Sequence, residues 1–120
     1  MIKYKGIAFT AYAVTNMPKA RKFYEGVLGL KLTRKFSKDF REYDIGSGTL
    51  VVACAPKLWH PSKKGTCAAL EVKDFPAAVE HLKKKKIEFA IPPMENPKCW
   101  MLAVRDPDGN LITLHHRKRM

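Results

Sequence analysis

The stretch Val14-Thr15-Asn16-Met17-Pro18-Lys19-Ala20 returns 58 residues later as Val72-Lys73-Asp74-Phe75-Pro76-Ala77-Ala78. In both copies a strand-like run leads into Asn16 or Asp74, whose side chains suit a helix N-cap. A proline follows in the first turn, where its missing N–H removes no helical hydrogen bond. An amphipathic helix is expected next, with Ala20, Phe23, Tyr24 and Val27 on one face in the first copy. In the second copy Phe75, Ala78, Val79 and Leu82 share that face. Gly29 closes the first helix, and Lys83 to Lys86 crowd the end of the second, where cations suit the helix dipole.

The rest of each copy reads as β. Residues 28–36, 41–45 and 48–55 are the expected strands of the first, the last two joined around Gly46-Ser47-Gly48. Ile87 to Ile91, Cys99 to Val104 and Leu111 to His115 take those parts in the second. Asp106-Pro107-Asp108-Gly109-Asn110 is the tight turn before the last of them. Each copy is therefore a βαβββ module, about 1–55 and about 66–116, with the proline-containing stretch from Ala55 to Thr66 as linker. A module of this size cannot bury its sheet alone. The expectation is one α+β domain over 1–120, two modules paired about a pseudo-twofold with their sheets curled into an open cup.

Composition narrows the class. The 120 residues are 46% hydrophobic and carry 23 Lys+Arg against 11 Asp+Glu, a formal charge of +12. Such a balance excludes disorder and low complexity. No apolar run reaches the roughly 18–20 residues that span a bilayer. The basic-then-apolar N-terminus reads as a first strand, because it runs directly into the helix-start pattern without a cleavage region. An odd number of cysteines (Cys54, Cys67, Cys99) argues against a secreted disulfide framework, and a cytoplasmic location is expected. The basic residues fall in patches at Lys31 to Arg41, Lys57 to Lys64, Lys83 to Lys86 and Arg117-Lys118-Arg119. No helix-turn-helix, zinc-finger, KH or RRM signature accompanies them, so they read as solvated faces rather than a nucleic-acid interface. Their field favours an anionic small ligand.

Paired βαβββ modules resemble the vicinal oxygen chelate superfamily: glyoxalase I, bleomycin-resistance proteins, extradiol dioxygenases and fosfomycin-resistance enzymes. The resemblance rests on Val14-Thr15-Asn16-Met17, Ala20, Phe23-Tyr24 and Leu28-Gly29-Leu30, then Leu70-Glu71-Val72-Lys73-Asp74, then Arg105-Asp106-Pro107-Asp108-Gly109-Asn110. It covers essentially the whole chain and speaks to fold more than to reaction. It implies a cup that often holds a divalent metal through His, Gln or Glu from four strands, and is often completed by a second subunit.

Carried over by position, the four ligand sites fall at Phe9, Val52, Cys67 and Thr113. The last follows the turn, and Val52 follows from aligning Gly48 with Gly109. Phenyl and isopropyl groups donate nothing to a metal, and a threonine hydroxyl is a poor ligand. The superfamily's metal centre is therefore expected to be absent, with no cofactor. Strand parity adds a displaced alternative, Cys67 with Glu71 and His115, while His116 points to the opposite face and His60 and His81 are weaker candidates. No phosphate loop, nucleophile elbow or HExxH motif is present.

Period-two alternation lines the cup with Ile7, Phe9 and Ala11, with Cys67 and Ala69, and with Leu111 and Thr113. Trp59, Trp100 and Tyr43 are candidates for its rim, and His115 for its mouth. The reading this supports is a metal-free binder of a small apolar or aromatic, anionic molecule, acting as a homodimer. The bleomycin-resistance branch sequesters a cationic drug, which a chain this basic does not suit. The alternative is a metal-dependent lyase or dioxygenase with an atypical site, in which a Lewis acid would hold two vicinal oxygens.

Overall fold

The computed structural model describes residues 1–118, so Arg119 of the basic tail lies outside the described residues. The chain divides into two compact units, Met1–His60 and a second beginning at Pro61. The first unit contains β1 (Thr10–Ala13), α1 (Met17–Arg21), β2 (Leu32–Ser37), β3 (Phe40–Asp44) and β4 (Thr49–Ala53). The second contains β5 (Ala68–Glu71), α2 (Phe75–Lys84), β6 (Ile91–Glu95), β7 (Cys99–Arg105) and β8 (Leu111–Arg117). The two four-stranded sheets have the same order, β1-β4-β3-β2 and β5-β8-β7-β6. In each, the first strand joins the last in parallel and the other pairs are antiparallel. A helix must cross from a strand to reach a parallel partner, and the repeated cap-and-proline segment makes that crossing.

The caps form as the residue types require. Asn16 Oδ1 accepts from the Lys19 amide at 3.0 Å, and Asp74 Oδ1 from the Ala77 amide at 3.0 Å. Helix α1 does not keep its α period. It passes into a π-helical stretch, Lys22–Val27, whose end is marked by the Leu28 amide donating to Phe23 O at 2.9 Å. Phe23 and Tyr24 remain buried there, packed edge to face, while Val27 is half-buried, so the apolar stripe narrows beyond Tyr24.

Several strand boundaries differ from the sequence-based expectation, among them that of the second strand, which begins at Leu32 rather than at residue 28. The first strand starts only at Thr10, so Ile7 and Phe9 precede it and are exposed. The fifth starts at Ala68, just after Cys67. The sixth is Ile91–Glu95 rather than Ile87 to Ile91, and takes in Pro92 and Pro93. β6 is an edge strand, and its pairing with β7 shifts register between Ile91 and Met94. An edge with a bulge is where a strand tolerates residues without an N–H.

The two sheets also differ at the turn before the last strand. Asp44 pairs with Thr49 across four intervening residues, whereas Arg105 pairs with Leu111 across five. The extra residue sits in a tightly bonded loop. Asp106 Oδ1 accepts from the amides of Asp108 and Asn110, each at 2.9 Å, and Oδ2 from the Asn110 side chain at 2.8 Å. Gly109 turns the chain with φ +87°. Asp106 and Asn110 are both buried, so these bonds work against little competing water. Asp106→Ala should destabilise the protein by roughly 2–4 kcal/mol in urea unfolding, since three charge-assisted bonds go and buried donors are stranded.

Candidate functional site

Each sheet has a face covered by its own helix. In the first unit Tyr12, Val52 and Arg41 are register partners, and the Tyr12 ring meets Tyr24 of the helical segment at 6.0 Å. This fixes the other set, Ala11 with Val51 and Glu42, and Ala13 with Ala53 and Phe40, on the face away from the helix. In the second unit the helix side carries Trp100 and His116, which with Lys73, Asp74, Phe75 and Pro76 line a cavity of about 340 Å³. The away face carries Ala69, Thr113 and Ala103, then Glu71, His115 and Met101.

Three of the expected residues, Val52, Trp100 and Tyr43, therefore lie on the helix side. Val52 is fully buried on the helix face. The position that corresponds to Thr113 is Val51: Ala11 pairs with Val51 as Ala69 pairs with Thr113. The five-residue turn of the second module shifts the correspondence by one after β3 and β7, and a one-residue shift reverses the face. Trp100 belongs to the helix side, its ring 5.8 Å from His116 with the Lys118 ammonium 4.6 Å from its centroid. Tyr43 is fully buried and its hydroxyl donates to Glu25 Oε2 at 2.8 Å, so it rims nothing.

The remaining candidates gather on the away faces. In the second unit Cys67 Sγ lies 3.6 Å from Thr113 Oγ1. Beside that rung His115 Nδ1 meets Glu71 Oε1 at 2.6 Å. The Arg117 amide donates to Glu71 Oε2 at 2.8 Å and pulls the carboxyl below its ordinary range, with His115 adding to the effect. A carboxylate facing Nδ1 orients the imidazole ring and favours the tautomer that carries a proton on that nitrogen. Leu111 and Ala69 flank these rungs. His116 Nδ1 meets the Val72 carbonyl at 2.7 Å, on the opposite face from His115 as expected.

In the first unit the same face is aromatic. The turn after β4, in which Leu58 and Trp59 amides both donate to Ala55 O at 2.9 Å, carries Trp59 back over the sheet. Its ring lies 6.3 Å from Phe40 and 6.4 Å from Phe9, and Phe40 lies 5.6 Å from Phe36. The Arg34 guanidinium sits 4.7 Å above Phe36. Phe9 and Trp59 are among the residues expected from the sequence at the cup, whereas Phe36 and Phe40 are not. Their signal is a tight hairpin, Ser37 to Asp39, that sets two phenyl rings side by side.

The four positions carried over from the superfamily do not fit a transition metal. They supply a phenyl ring, an isopropyl group (at Val52 or, by register, Val51), a thiol and a hydroxyl that is the thiol's neighbour. Among the described residues no three His, Cys, Asp or Glu side chains converge as a metal would require. The displaced set separates into two rungs, Cys67 with Thr113 and Glu71 with His115.

Two open mixed sheets, each crossed by one helix in a β-α-β-β-β order, define the paired-module α+β class. Residues 6–114 match the Glyoxalase/Bleomycin resistance protein/Dioxygenase superfamily, and the chain belongs to that family. Among solved structures it is similar to a putative glyoxalase family protein from Bacillus anthracis, at 23% identity and TM-score 0.81, covering 98% of this chain and 100% of that one. It is also similar to a glyoxalase/dioxygenase from Nostoc punctiforme, at 20% identity and TM-score 0.79 over 96% and 92% of the two chains. A lactoylglutathione lyase from Agrobacterium tumefaciens matches at 17% identity and TM-score 0.77, over 95% of each chain. These likenesses concern the fold. The comparison with curated proteins gave no match.

The Glu71 carboxyl offers a direct check of the second-unit geometry. Its folded pKa is depressed, so its contribution to stability is present above the ordinary glutamate range and is lost as pH falls through the folded value. Carboxyl NMR should place its midpoint below that of an unperturbed glutamate. His115→Ala should raise the midpoint only partway, because the Arg117 amide remains in place.

Proposed function

We propose that this protein binds a small aromatic, anionic molecule on the face of the first sheet turned away from its helix, without a transition-metal cofactor. The observation that carries the reading is the row Phe36, Phe40, Trp59 and Phe9 with Arg34 at one end. Offset or tilted rings offer a planar ligand both burial and stacking, and a guanidinium beside them attracts a carboxylate. The positive charge of the chain favours the same sign of ligand. The donor chemistry of Phe9, Cys67 and Thr113 supports a metal-free site.

Hydrophobic acids should raise the melting temperature more than matched amines or neutral analogues. Trp59→Ala should weaken such an acid by roughly tenfold, or ~1.4 kcal/mol, when read by calorimetry. Equal stabilisation by the amines would overturn the charge argument. Elemental analysis after dialysis should find no stoichiometric nickel, zinc, iron or manganese. One equivalent of any of them would overturn the metal-free reading.

The protein is further proposed to be a cytoplasmic homodimer. Met1, Ile2, Tyr4, Ile7 and Phe9 are exposed ahead of β1, which is itself an unpaired sheet edge. Apolar side chains beside an open edge favour pairing with a second copy. Phe23 and Tyr24 of the helical segment are already buried within their own unit and do not supply that contact. The free thiols of Cys54, Cys67 and Cys99 accord with a reducing compartment, and no described helix is long and apolar enough to cross a membrane. Sedimentation at micromolar concentration should give the dimer mass, and removal of residues 1–8 should shift it to the monomer.

A further inference from the structure

On the helix side of the first sheet lies a groove of about 770 Å³ that the aromatic row does not touch. Its walls are the helical segment, the Ser37–Phe40 turn and the end of β4 at Cys54. The Cys54 amide donates to Asp39 O at 2.8 Å, which pins the turn against the strand end. Its charged lining is Arg21, Lys22, Lys38 and Arg41 against Glu25 and Asp39.

Arg41 is the unusual member. It is only 6% exposed, and its Nε finds no hydrogen-bond partner among the described residues. Glu25 is the carboxylate nearest in role, yet it is committed elsewhere. Its oxygens accept from Arg21 Nε at 2.8 Å, from Arg21 Nη2 at 3.1 Å and from the Tyr43 hydroxyl at 2.8 Å. The Arg21 hydrogen bond chiefly holds the Glu25 carboxyl below its ordinary range, and Arg41, the smallest contributor, makes no ion pair with it within 4.0 Å. A buried guanidinium without a bonded counter-charge is costly, and the usual remedy is an anion or a carboxylate. Here the cation opens onto a groove of the size that takes small organic molecules.

We propose that this groove is an anion site, with Arg41 as its anchor and Lys22 and Lys38 at its mouth, for a small molecule bearing a phosphate or carboxylate group. An oxyanion entering the groove supplies the missing acceptor, and the guanidinium fork presents paired donors to it. The site lies on the opposite face of the sheet from the aromatic row and is independent of the function proposed above.

The test titrates inorganic phosphate and succinate separately into the full chain, against chloride at matched ionic strength. Melting temperature and amide NMR shifts are the readouts. At least one probe should stabilise the protein saturably and move the amides of Arg21, Lys22 and the 38–41 turn. Phosphate alone would mark a phosphate ligand, and succinate alone a carboxylate ligand; both outcomes support the site. Arg41→Met should fold, melt no lower than the parent in chloride, and weaken the probe by roughly tenfold or more. Arg41→Lys keeps the charge without the fork and should weaken it to a lesser degree, which preserves the test if the methionine variant does not fold. Identical melting in phosphate, succinate and chloride, or undiminished saturable binding by both Arg41 variants, would overturn the proposal.

Discussion

The parallel pairing of the first strand of each module with its last constrains everything else in that module. It places β4 and β8 between two neighbours, with side chains buried on both faces: Leu50 to Ala53 in one, Ile112 to Leu114 in the other. It also demands a crossing helix on one side, which the capped, proline-started segments at Asn16 and Asp74 supply. Once the helix occupies one face, alternation along the central strand decides which residues the other face can offer. The chemistry of the site is thus a consequence of register. A shift of one residue exchanges Thr113 for Ile112, or Val51 for Val52, and turns a site residue into a core residue.

This dependence explains what could be read from the sequence. The duplication, caps, helices and the order of elements along the chain were legible because each is signalled locally and then repeated. Thr113 and His115 share a face in sequence and structure alike because the DPDGN turn anchors the numbering of β8, and Ala69 joins them because the 58-residue repeat carries Ala11 onto β5. Val52 was misassigned because the first module's turn is one residue shorter, and glycine matching cannot reveal which residue is missing. Trp100 is large and lies one strand from the site, but its parity with His116 commits it to the helix side. The late start of β1 has a different cause. Ile7 and Phe9 alternate properly with Ala11, yet β4 ends its pairing at the partner of Thr10, and a strand without a partner has no ladder to join.

The modules have taken the same scaffold in opposite directions. Where the second sheet sets Cys67, Glu71, Thr113 and His115 on its away face, the first sets Phe9, Ala13, Val51 and Ala53 at the matching positions. Polar groups in the second are paired with one another across β5 and β8, which satisfies them without a ligand. The first has no such pairs, and its rings gain by further burial. The away face of the first module therefore offers apolar surface, and that of the second offers polar groups that already satisfy one another.

Charge adds a further asymmetry that composition alone does not show. The acidic residues are few, and several are used as structural fasteners. Asp74 caps a helix, Asp106 ties a turn, Glu25 holds Arg21 and Tyr43, and Glu71 holds His115 and the Arg117 amide. A carboxylate engaged in that way has little left to give to a neighbouring cation. The count of acidic residues consequently overstates how many carboxylates are placed to pair with a neighbouring cation. Most lysines resolve the excess of basic charge by standing in water, where it costs little. Arg41 cannot, because β3 pairs it opposite Val52 beneath the helix, so the protein retains one cation whose need for an anion comes from its position in the sheet.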